Sequence, residues 1–158
     1  MYEGMLGLHS LLRWIILIFL IINIIRVNVE AQNPFTDADR KWSLRLLIAT
    51  HLTLLIGLYQ YFFGEKGFAL IKEFGMKDVM RYPGLRFWVV EHITAMLLAV
   101  AVITISHIYG KKEHIPSLKR HRVMGVLYIL AFIIILAGVP WPFRDVEIAR
   151  PWFRGLYN

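Results

Sequence analysis

Four long apolar runs, separated by charged segments, constrain this chain more than anything else in it. They are Leu6–Ile25, Leu46–Phe63, Phe87–Ile108 and Val123–Trp141. Each approaches the roughly 20 residues that cross about 30 Å of hydrocarbon. Backbone amides in lipid have no water to bond, and four spans cannot close a β-barrel, so the runs must be helices. The expectation is an all-α integral membrane protein, an up-down four-helix bundle in one domain covering 1–158, with spans at about 6–26, 42–63, 86–109 and 118–140. Composition agrees: 58% of residues are hydrophobic and the mean hydropathy is +0.55. The first run lacks the basic start and the small-residue cleavage site of a signal peptide, so it is expected to be retained as a span.

The connections are readable too. Calling the side of the N-terminus side A, an even number of spans returns the C-terminus to it. On side B, Arg26–Arg45 joins spans one and two, with Asn33-Pro34 as a turn and Thr36-Asp37-Ala38-Asp39 as a helix start. On side A, apolar and charged residues interleave from Phe68 to Met80, which predicts a short helix lying in the interface, closed by Tyr82-Pro83-Gly84. The tail Pro140–Asn158, rich in Trp, Phe, Pro and Arg, is expected to lie against side A. Nine Lys and Arg fall on each side, but side B packs its charge into short loops beside the spans. That leads to the expectation of side B in the cytoplasm and the termini outside.

Several function classes drop out. There is no cysteine, hence no disulfide, thiolate-held iron–sulfur cluster or covalent haem attachment. The net charge of +7 comes from basic residues at the span ends, and no nucleic-acid-binding motif accompanies them. The His-Glu-x-x-His and glycine-loop motifs are absent, and Glu91 and His92 are adjacent rather than three apart, unlike the ligand pairs of a di-iron bundle.

What remains is an unusual set of imidazoles. One histidine sits in or at the lip of each run: His9, His51, His92 and His121. An ionisable group in a membrane is costly and usually has a partner and a task. Spans one and three run parallel and can face each other across a bundle, as can two and four. His9 and His92 both lie one to two turns inside side A, so their depths agree within a few ångströms, and such a pair can clamp one iron. His51 and His121 form the side B counterpart, less well matched, since His51 lies deeper by roughly 6–8 Å. His107, about 22 Å along the helix from His92, is a rival at side B or a polar residue reaching the interface; His114 lies in a basic loop. Arg13, at i+4 from His9, shares its face and wants a carboxylate, either a haem propionate or Glu91. Gly125, Ala95 and Ala99 are small residues that leave room beside His121 and His92.

The segments Leu8-His9-Ser10-Leu11-Leu12-Arg13-Trp14, His51-Leu52-Thr53-Leu54-Leu55-Ile56-Gly57, Arg86-Phe87-Trp88-Val89-Val90-Glu91-His92, Lys119-Arg120-His121-Arg122 and Val139-Pro140-Trp141-Pro142 together resemble a group of small four-span bacterial cytochrome b-like membrane proteins. The likeness covers nearly the whole chain. More distantly the plan is similar to cytochrome b561-type four-helix haem proteins, which trade electrons with quinones. The resemblance implies one or two non-covalent haem b groups held by His9, His92, His51 and His121, with Arg13 beside them. Its partners would be quinone or quinol and other respiratory-chain subunits. The alternative is a non-catalytic helical subunit of a larger membrane complex, in which the histidines and an Arg13–Glu91 pair are packing devices.

Overall fold

The computed structural model describes residues 2–152, all helix and connecting turn with no strand among them. Arg154 and the rest of the tail to Asn158 lie outside the described residues. Five helices run in order: α1 Tyr2–Val29, α2 Asp37–Phe63, α3 Phe68–Arg81, α4 Pro83–Gly110 and α5 Ser117–Gly138. All but α3 are long and apolar enough to cross a membrane. Their outer faces are what lipid would want: Leu11, Ile18, Leu55, Ile105, Val126 and Ile133 are more than half exposed, far more apolar surface than a water-soluble monomer carries.

The long helices form a ring. α1 packs on α2 and α5, and α4 packs on α2 and α5, which leaves α1 and α4 on one diagonal. Leu20, Leu46, Ile103, Met124, Tyr128 and Ala131 fill the shared core and are almost wholly buried. Small residues set the approach where α4 meets α5: a side-chain carbon on Gly138 would lie 2.7–2.8 Å from Met96 and Ala95. Ala95 therefore serves that contact. Gly125 serves the one with α1, since a methyl there would meet Val27 at 3.3 Å.

The start of α2 is built as its sequence implies. Thr36 caps the helix, its hydroxyl facing the Asp39 amide while the Asp39 carboxylate accepts from the Thr36 amide at 2.8 Å. Asp39, with a side chain 2% exposed, also takes Arg26 of α1 at 2.8 Å, which ties the first two long helices together at side B.

The connection on side A differs in detail from the expectation. α3 is present but broken at Gly75, whose φ of 75° is the left-handed value that suits glycine. Leu70 and Val79 pack on Val89 of α4. Tyr82 caps the end of α3, where the sequence closes it, and Pro83 at once opens α4 at a position where its missing amide proton costs nothing. Phe87–Glu91 then forms one π turn, with the His92 amide donating to the Phe87 carbonyl five residues back.

Candidate functional site: a histidine-lined cavity

Between α1, α2 and α4 lies a cavity of about 510 Å³, within the roughly 300–1,000 Å³ of ordinary ligand sites. Each helix contributes one face. From α1 come His9, Ser10, Arg13 and Ile16; from α2 come Thr50, Thr53, Gly57 and Tyr61; from α4 come Trp88, His92, Met96 and Ala99. Their spacing of three or four residues is that of a single helical stripe. The π turn ends at His92 itself. Its extra residue rotates the first turn of α4 by about 100° relative to the long stretch from His92 onward.

The two imidazoles are held differently. His92 donates its Nδ1 proton to the Gly138 carbonyl of α5 at 2.8 Å. That fixes the tautomer and leaves Nε2 with a bare lone pair, the state in which an imidazole binds metal. On His9, Nδ1 is buried and has no hydrogen-bond partner among the described residues. Gly57 stands against it: a side-chain carbon there would lie 3.2 Å from His9 Cε1. Glycine is what allows the ring its place.

Arg13 lies one turn from His9 on the same wall. Its Nη2 donates to Ser10 Oγ at 3.1 Å and to the Trp152 carbonyl at 2.7 Å, while its buried Nε has no partner among the described residues. The expected alternative of an Arg13–Glu91 ion pair does not form. Glu91 points outward and takes Arg86 at 2.6 Å.

The tail covers this end. Trp14 donates to the same Trp152 carbonyl at 3.0 Å, and Trp14, Trp141 and Trp152 pack ring against ring at 5.7–6.1 Å. Trp88 donates to the Glu147 carbonyl at 3.1 Å, with the Arg150 guanidinium 4.5 Å from its ring centroid. Pro140, Arg150 and Pro151 line the cavity at this end.

Of the five residues singled out in the sequence, then, His9, His92 and Arg13 share one site. His51 and His121 are not brought together. His51 lies on the exposed outer face of α2. His121 is 1% exposed, 5.1 Å from the Phe35 ring, and neither ring nitrogen has a partner among the described residues. His107 belongs to a polar cluster in which Ser43 Oγ hydrogen-bonds its Nδ1 at 2.9 Å and accepts from the Tyr128 hydroxyl at 3.0 Å. His114 is exposed in its loop. Gly57, Thr53, Trp88 and Met96 went unremarked as site residues; all but Met96 stand in the segments that carried the family resemblance.

Among the described residues no three His, Asp or Glu side chains converge, so the donor set of a structural zinc or di-iron centre is not assembled. No family model, curated protein or solved structure matches the chain.

Proposed function

We propose that the chain is an integral membrane b-type cytochrome, an up-down four-helix bundle that passes electrons between the quinone pool and a partner at its side A face. What supports it most is a single meeting: His9 and His92, from diagonal helices, line one cavity of haem-compatible size at matching depth. The residues present fit the group. His92 offers Nε2 with its other nitrogen anchored on Gly138, and His9 carries a buried Nδ1 that no described residue satisfies. These two would hold the iron, and Arg13 would take a propionate through its unused Nε.

Haem bound there would supply a one-electron ferric–ferrous couple. The chain's own residues do the rest. The Gly138 carbonyl orients the His92 ring and raises its basicity as a ligand. Trp88 lines the cavity and the Arg13 guanidinium places a positive charge beside it. In this bundle both termini lie outside a bacterial plasma membrane and the capped start of α2 faces the cytoplasm.

The test is haem stoichiometry. Protein purified in detergent should carry one haem b per chain by pyridine haemochromogen assay, and His9→Ala should abolish it. Haem content untouched by His9→Ala would overturn the assignment. A protein that never carries haem would favour the scaffold alternative.

A further inference from the structure

Alone among the span histidines, His51 faces away from the molecule. It lies 14 residues from Asp37 and 12 from Phe63, about 21 Å and 18 Å from the two ends of α2. If α2 crosses a bilayer, that is mid-depth. The Nδ1 proton goes to the Leu47 carbonyl of its own helix at 2.9 Å, and Nε2 points outward with no hydrogen bond to any described residue. Lipid tails offer that nitrogen nothing. The rest of the face is apolar: Leu44, Ile48, Leu55, Tyr59 and Phe62 are exposed. With His51 they succeed one another at intervals of three or four residues, the spacing of a seam between paired helices. A second observation concerns the whole helix: α2 is the least buried of the four long helices within the chain, and with His51 counted it is also the least apolar. Lipid alone as neighbour would put the most apolar helix outermost.

We infer that the outer face of α2 is an interface occupied by a second copy of this chain, related by a two-fold axis along the membrane normal, with the two His51 rings meeting at mid-depth. Such an axis carries every residue to its own depth in the other copy, so an equal-depth imidazole opposite His51 is assured. A different partner would have to supply one by coincidence. The chemistry closes without charge. One ring keeps its proton on Nδ1, bonded to Leu47, and presents a bare Nε2; the other carries its proton on Nε2 and donates it across the axis. The second ring gives up only its side-chain bond to Leu47, whose carbonyl remains within the helix. One polar residue in an apolar seam also fixes register and copy number. The dimer rests on the membrane reading of the helices and not on haem.

Because the chain has no cysteine, single cysteines report without background. In oxidised membranes Ile48→Cys and Leu55→Cys should give disulfide-linked dimers, whereas Ile133→Cys, exposed on α5, should stay monomeric. Adding His51→Leu to Ile48→Cys should lower the cross-linked fraction several-fold while the purified protein keeps its haem. No dimer from either α2 position, a cross-link only to a different protein, or yields indifferent to His51→Leu would overturn the proposal. Haem-free protein that still cross-links in this pattern supports the dimer and counts against the haem instead.

Discussion

At the side A end, His9 and His92 flank a cavity, and buried nitrogens of His9 and Arg13 lack partners among the described residues. At the side B end two polar clusters close on themselves, while Ser106 Oγ, Arg120 Nε and both His121 nitrogens are buried without a hydrogen bond among the described residues and away from the cavity wall. His107, Ser43 and Tyr128 form one cluster, and Thr36, Asp39 and Arg26 form another. The residue types are alike; what differs is the open volume beside the unpartnered atoms at side A. Buried polar atoms that find partners within the protein specify packing; those left unsatisfied beside open volume imply something that is to be bound. His121 stands between the cases, unsatisfied but pressed against Phe35 and away from the cavity wall.

This contrast is breakable. The largest effect is expected from two matched substitutions. His92→Ala should reduce haem content to background, whereas His107→Ala should leave haem in place and cost about 1–2 kcal/mol of stability, the loss of one hydrogen bond in a buried cluster. Equal haem loss from both would erase the distinction between the two ends. Next, Asp39→Ala should lower stability by about 2–4 kcal/mol, because it removes the N3 half of the capping box and leaves Arg26 without its carboxylate. A thermal melt monitored by circular dichroism reads this, and the visible spectrum of the remaining folded protein should be unchanged.

The cavity can be probed more finely. Gly57→Val pushes a side chain against His9 and should weaken haem binding by about tenfold, near 1.4 kcal/mol, in a haem-transfer titration. Wild-type affinity there would mean that the imidazole does not need its present place. Arg13→Gln should shift the haem midpoint potential downward by on the order of 40 mV, about 1 kcal/mol, since a nearby cation favours the ferrous state. The smallest effect is assigned to His121→Phe. Replacing a buried imidazole whose nitrogens find no partner with an apolar ring of similar size should move stability by less than about 1 kcal/mol and leave haem content alone. Haem loss from that change would give side B a binding site of its own.

Much of this was legible in residue order. The helices come from apolar runs of spanning length, and the start of α2 from Thr36 and Asp39 at capping-box spacing. The meeting of His9 and His92 comes from depth arithmetic on parallel helices. Other features have no local signature. The π turn at Phe87–Glu91 looks like any apolar helix, and with it goes the pairing of Glu91 with Arg86 rather than Arg13. Pro83 marks a boundary in the sequence, but whether it ends one helix or opens the next depends on what packs there. Gly57 becomes meaningful only once α2 is seen against His9 of α1, and the Gly138 carbonyl only once α5 is seen against His92. Pairing His51 with His121 failed because depth alone does not say which face of a helix turns inward.

The central claim is that the cavity between His9 and His92 holds a haem. Its most direct test is the optical spectrum of the detergent-purified protein before and after dithionite, taken in parallel for wild type, His9→Ala and His92→Ala. The account predicts a six-coordinate b-type spectrum with a sharp reduced α band in the wild type and its loss in both variants. A wild type without visible absorption, after expression with ample haem supply, would contradict it, as would a spectrum that survives both substitutions.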